Sequence, residues 1–260
     1  MPLNWDEIQQ TLSPIKSYAD LIQRLQESFS YPLVQQSFNL SLPQLSDYTR
    51  QMLGGDSRQR YTEYLSRLES ALSLLAQAGV TDILDLLSRS STPDTLQGFV
   101  EQSGVDAVQV VVVLKYLLYW VIPGEKYLSG LVQNDPALRQ AIQALGGVGV
   151  RSNLQLLQQG HTQAGRRALA ESSGLPEQVV SGLVNRADFS RLPWASKATI
   201  SNIIGAGYAS LAQLAEADPE QLYQDFFAYG KSIGKNLKLG NEIENSYRIA
   251  RIVPRVVQAD

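Results

Sequence analysis

Residues 105–122 read VDAVQVVVVLKYLLYWVI, and the fold class turns on how this run is read. A membrane-spanning helix needs about 20 mostly apolar residues. This run has 18 and includes Asp106, Gln109 and Lys115. A mid-span Lys costs roughly 2.5–3.5 kcal/mol on insertion scales. The four valines at 110–113 are the only β-like spot, and they sit in a segment far longer than a typical strand of about 5–6 residues. The run is therefore expected to be a helix buried in the core of an all-α protein, with no membrane insertion.

The rest of the chain agrees with that reading. No stretch alternates apolar and polar residues for long enough to predict a strand. Thr92-Pro93-Asp94, Asp135-Pro136 and Asp218-Pro219-Glu220-Gln221 each set a capping side chain before a proline that a first helical turn tolerates. Tyr61, Tyr64, Leu65, Leu68, Leu72 and Leu75 keep the spacing of one helix face, which predicts a long helix from Arg58 to Ala78. Gly79, Gly104, Gly174 and Gly207 fall where periodic runs end, as helix stops do. The first 56 residues are broken by Pro14, Pro32 and Pro43. They predict short helices at about 4–12, 17–29 and 43–53.

Comparing the chain with itself reveals a repeat. At a shift of 70 residues, Gly79–Pro123 lies on Gly149–Pro193 without a gap, and 11 of the 45 positions are identical. The matches are punctuation and core: Gly79/Gly149, Thr92/Thr162, Gly104/Gly174, Pro123/Pro193 and several leucines. A repeated supersecondary unit keeps such positions. The expected organisation is an N-terminal helical segment at 1–56, one helical unit at 57–148 and a second at 149–260. Gly146-Gly147-Val148-Gly149-Val150 is read as a flexible connector between the two units, with a hairpin-like loop as the alternative.

The second unit carries a resemblance. GVRSNLQLLQQGHTQAGRRALAESSGL (149–175), VVSGLVNRADFSRLPW (179–194) and GAGYASLAQLAEADPEQLY (205–223) resemble the bacterial domain-of-unknown-function family numbered 4332, a relative of helix-hairpin-helix modules. The resemblance covers about 149–255 and extends weakly to 79–132. It implies an all-α fold of tandem helix-hairpin-helix-like units and no assigned activity. In DNA-binding helix-hairpin-helix modules, glycines in the hairpin let backbone N–H groups approach phosphate. At Leu192-Pro193-Trp194-Ala195-Ser196-Lys197 both glycines are replaced, and Trp194 stands where the first should be. At Ile122-Pro123-Gly124-Glu125-Lys126 an acidic residue sits beside the expected phosphate position.

Composition narrows the chemistry. The chain has 260 residues, no Cys and one His, His161, with a net charge of −3. Zero Cys excludes disulfides and thiol nucleophiles, and a single His excludes paired-His zinc sites. His161, between Gly160 and Thr162, reads as an exposed loop residue. No phosphate-cradling loop, nucleophile elbow or calcium loop is present. No catalytic residue, metal or cofactor is expected. Residues 1–150 carry −5 and residues 151–260 carry +2.

The best basic cluster is Lys231, Lys235, Lys238, Arg248, Arg251 and Arg255. With Trp194 and Lys197 these are the candidate contacts for a protein or a nucleic acid. Aromatic residues group at Tyr116, Tyr119, Trp120 and Tyr127, and again at Phe226, Phe227 and Tyr229. The first ten residues, MPLNWDEIQQ, have no basic start or apolar run, which predicts a cytoplasmic protein. The leading expectation is a non-enzymatic helical scaffold or adaptor that binds another protein. A nucleic-acid-binding module is the alternative, and an enzyme or small-ligand protein the second alternative.

Overall fold

A computed structural model describes residues 3–55, 58–133, 135–193, 195–237 and 241–259, with the backbone alone for 241–246. Among these residues the structure is all α-helical, without a named strand. It divides into two compact units, residues 1–124 and 125–260.

The first unit is built around the run at 105–122. It forms α8 (Ala107–Tyr116) and continues as a π-helical turn, Leu117–Val121. Val110, Val111, Val113, Leu114, Tyr116 and Leu117 are fully buried, so α8 is apolar on every side, as a central core helix is. No helix among the described residues is long and apolar enough to cross a membrane. Packed on α8 are α1 (Trp5–Leu12), α2 (Tyr18–Phe29), α5 (Gln59–Gln77) and α7 (Pro93–Ser103). The remaining helices of this unit are α3 (Pro32–Phe38), α4 (Leu42–Gly54) and α6 (Ile83–Arg89). Lys115, the charge that argued against a membrane span, leaves the core sideways. Its ammonium donates to the carbonyls of Thr11 (2.8 Å) and Ser13 at the end of α1. A cation is well placed there, where helix carbonyls lack partners.

This packing differs from the expected segment at 1–56. The N-terminal helices belong to the same core as α8, tied by Tyr18 Oη donating to the Ser90 carbonyl and Leu3 N–H donating to Gln97 Oε1. The cause is α8 itself, whose apolar surface needs a cover on each side. The expected division at 148/149 likewise falls inside the second unit. Lys126 Nζ donates to the Ser190 carbonyl (2.7 Å), and Leu128 N–H donates to the Arg151 carbonyl (3.0 Å). A helix that the sequence reading left out, α3, starts with Pro32 in its first turn.

The second unit contains α9 (Pro136–Gly147), α10 (Asn153–Gly160), α11 (Gln163–Ser173), α12 (Glu177–Phe189), α13 (Lys197–Gly205), α14 (Leu211–Glu216), α15 (Pro219–Ser232) and α16 (Asn241–Ile252). Gly146 and Gly147 are the last residues of α9 rather than a flexible connector. Helix α9 packs on α11 and α12.

The stretches aligned at a shift of 70 residues adopt the same order of elements. α7 and α11 have the same bounds at that shift, each with Thr as N-cap and a left-handed Gly as C-cap. Before them, Gly79 and Gly149 end α5 and α9 in a common turn. The next residue donates its N–H five residues back, Val80 to Leu75 and Val150 to Leu145. Asp85 and Gln155 then accept from the N–H four residues earlier, at 3.0 and 2.8 Å. A third stretch does the same. Gly207 has φ +104°, Tyr208 N–H donates to the Ile203 carbonyl, and Gln213 Oε1 accepts from Ala209 N–H at 2.9 Å. Ser210 caps α14 as Ser152 caps α10, and Asp218 caps α15 as Thr162 caps α11. The sequence signal was Gly207, Ser210 and Gln213 lying on Gly149, Ser152 and Gln155 at a shift of 58.

Candidate functional site

The basic cluster is divided by the fold. Arg251, near the end of α16, donates through Nε to the Ala215 carbonyl (2.7 Å) and through Nη2 to the Ala217 carbonyl (3.3 Å). These carbonyls lie at the C-terminal end of α14, where the helix dipole favours a cation. The same guanidinium lies over the Tyr247 ring, 4.3 Å from its centroid. Arg255 pairs with Glu216 at 3.0 Å. Arg251 and Arg255 thus pin α16 and the following chain to α14. Arg248 is half-buried on the same helix. Lys197 is exposed at the start of α13, whose N-cap is Ser196. Trp194 and Lys238 lie outside the described residues.

Lys231 and Lys235 have different surroundings. Both are exposed. Lys231 Nζ sits 4.4 Å from the centroid of the Phe227 ring, one turn earlier on α15. Phe227 is itself 47% exposed, and Tyr223, another turn back, is 55% exposed. The inward side of α15 is held by Leu222, Phe226 and Gly230, all buried. Tyr229 presses on α13 where Gly205 lacks a side chain; a Cβ there would lie 2.2 Å from the ring. The aromatic group at 226–229 is therefore split by direction, with Phe226 and Tyr229 packed and Phe227 facing water.

The end of α15 shapes a recess beside this face. Gly234 has φ +64°, and its N–H donates to the Lys231 carbonyl. Lys235 N–H donates to the Gly230 carbonyl at 2.9 Å. This is a Schellman turn, which caps the last carbonyls and needs a left-handed residue. The chain then folds back across Gly230, where a Cβ would meet the Lys235 carbonyl at 2.9 Å and Leu237 at 3.2 Å. The result is an open notch of about 400 Å³ lined by Phe227, Lys231, Gly234, Lys235, Asn236 and Leu237. It combines an aromatic ring, an aliphatic side chain, two ammonium groups and one amide. Ile233, the C-cap residue of α15, is 38% exposed. The sequence reading missed Tyr223 and Ile233. The signal for Tyr223 is its aromatic pairing with Phe227 at i and i+4, set one residue off the Leu222–Phe226–Gly230 stripe.

Other groups singled out from the sequence are used internally. Tyr116 is fully buried and meets Tyr64 edge-on, with centroids 6.2 Å apart, and Trp120 meets Tyr61 at 6.1 Å. Burial pushes the phenols of Tyr18, Tyr64 and Tyr116 well above their ordinary value. Tyr119 and Tyr127 are exposed, Tyr127 the more so. Lys126 points inward to Ser190, and burial lowers its pKa. His161 is half-buried at the end of α10 rather than an exposed loop residue. Its Nδ1 lies 3.1 Å from the Leu157 carbonyl, and its own carbonyl accepts from Gln258 N–H.

A second cavity of about 470 Å³ lies between α12, the start of α14 and residues 255–259, with Arg166, Asn185 and Asp188 in its wall. Its buried charges serve the fold. Arg166 donates to the carbonyls of Gly160 and His161, and Asp188 accepts from Arg191 at 2.5 and 2.8 Å. Among the described residues no group of three His, Asp or Glu side chains is arranged to hold a metal ion.

Both the notch and the three repeated turns bear on the comparison with known families. Residues 136–241 match the family described as Domain of unknown function (DUF4332). The DUF4332 match begins with α9 and spans two of the three Gly-turn stretches, those at 149 and 207. It includes Tyr223, Phe227, Lys231 and Lys235 and ends before Arg248, Arg251 and Arg255. No curated protein and no solved structure matches the chain.

Proposed function

We propose that this chain is a non-enzymatic helical scaffold that binds another protein through the outer face of α15. The observation that carries the reading is the pair Tyr223 and Phe227, two large side chains one turn apart on α15 and both exposed. Most exposed hydrophobic residues on a monomer are scattered singly, whereas a contiguous group marks an interaction surface. Aromatic residues are also the side chains that most often carry interface energy. The charged groups around the second cavity speak against catalysis there, because helix-end carbonyls and an internal ion pair already engage them.

The scaffold is read as tandem copies of one unit: a helix, a Gly turn, a short capped helix and a further capped helix. Copies begin their turns at Gly79, Gly149 and Gly207. This is also the sense in which the units are helix-hairpin-helix-like, and the cytoplasm is the expected site of action. The nucleic-acid reading draws on Lys197, Lys231 and Lys235. It is weakened by Arg251 and Arg255, which are committed to α14.

The test compares the full chain with a Tyr223→Ala/Phe227→Ala variant as bait under native conditions. The expected result is a discrete protein retained by the wild type and lost by the variant. Retention by both, or by neither, would overturn the reading.

A further inference from the structure

We infer that the notch at the end of α15 receives a short acidic peptide segment of the partner, one apolar side chain flanked by carboxylates. The inference rests on the reading of α15 as a protein-docking face and adds the chemistry of what docks there. Phe227 and Leu237 offer two apolar walls, and Gly234 between them adds no side chain to the space. That space admits a Leu- or Phe-sized side chain, whose burial away from water favours binding. Lys231 and Lys235 line the notch, both exposed, and among the described residues none of its lining side chains is acidic. Two ammonium groups on an apolar recess call for carboxylates on either side of the inserted side chain, since opposite potentials guide and fix such contacts.

A single-stranded nucleic acid fits less well. It would stack a base on an open aromatic face. The notch is lined by a single aromatic side chain, Phe227, rather than by the several on which successive bases stack.

The test uses the full chain and fluorescent short peptides in which one Leu, Phe or Trp is flanked by Asp or Glu. Counterparts carry Asn and Gln in place of the acids, and oligo-dT serves as the nucleic-acid probe. Fluorescence anisotropy is expected to show binding of acidic peptides, about tenfold weaker or more for the amide counterparts and for the Lys231→Gln/Lys235→Gln chain. Phe227→Ala is expected to weaken binding similarly, while circular dichroism of all variants stays unchanged.

Equal binding of acidic and amide peptides would overturn the inference, as would binding that survives both Lys substitutions or no peptide binding at all. Tighter binding of oligo-dT with a steep salt dependence would replace it with a nucleic-acid surface. The broader reading fails separately. It falls if the Tyr223→Ala/Phe227→Ala chain keeps the captured protein, and it survives if only the peptides fail.

Discussion

Gly165 shows how narrow the tolerances of this fold are. A Cβ there would lie 1.9 Å from the Gln159 carbonyl oxygen, a backbone atom that cannot swing away. Gly165→Ala is therefore expected to destabilise the second unit by about 2 kcal/mol or more, as forced overpacking does, measured by urea unfolding. Gly234 differs, since a Cβ meets open space but φ is +64°. Gly234→Ala is expected to cost only about 1 kcal/mol, the strain of a left-handed alanine, while altering the notch. The cations differ in the same way. Arg251→Gln removes charged hydrogen bonds to Ala215 and Ala217 and is expected to cost about 1–2 kcal/mol. Lys231→Gln, on an exposed face, is expected to change stability by less than about 0.5 kcal/mol. Thermal unfolding of the two variants side by side checks this contrast.

At the scale of elements, legibility in the sequence followed how locally each feature is determined. Caps and stops were readable because one side chain sets them: Thr92, Thr162 and Asp218 cap α7, α11 and α15, and Gly104 and Gly174 end α7 and α11. The helix at 105–122 was readable because its apolar length fits no other role. Direction around a helix was not. Phe226, Phe227 and Tyr229 read as one aromatic group, but only the Leu222–Phe226–Gly230 stripe fixes which of them faces inward. The basic cluster was misleading for a related reason. Of its members at three-four spacing only Arg248 and Arg251 share a helix, since α16 ends at Ile252, and the carbonyls at the end of α14 that claim Arg251 lie far back in the chain. The third Gly turn was overlooked because its connecting segment is shorter than in the other two, so no single shift aligns all three. If the turns are equivalent, removing the caps should act alike. Thr92→Ala and Thr162→Ala are each expected to cost about 1 kcal/mol, measured as separate changes in chemical unfolding.

For the molecule as a whole, the two units carry different chemistry. The first buries three tyrosines, Tyr18, Tyr64 and Tyr116, whose phenols are held protonated by burial. Their folded pKa values are raised above the ordinary value of 10.0, so the stability they confer is complete below pH 10 and is lost as pH rises further, when the unfolded chain ionises first. Lys115, with its pKa lowered by burial, acts in the opposite sense, but it is one group against three. Alkaline titration is expected to show a first tyrosinate rise from exposed residues such as Tyr119, Tyr127 and Tyr223 with the helix intact, and a final rise that coincides with loss of helical circular dichroism. Ionisation of all 12 tyrosines without loss of helix would contradict the buried assignment.

The second unit carries its distinctive surface outside, on α15, where an aromatic and cationic face meets a notch shaped by a Schellman turn. That face, rather than a catalytic centre, is the centre of the functional account. Its most direct test is capture of a binding protein by the full chain against the Tyr223→Ala/Phe227→Ala variant at equal folding stability. The account predicts a partner bound by the wild type and lost from the variant. A partner bound equally by both, or no protein bound by either, would contradict it.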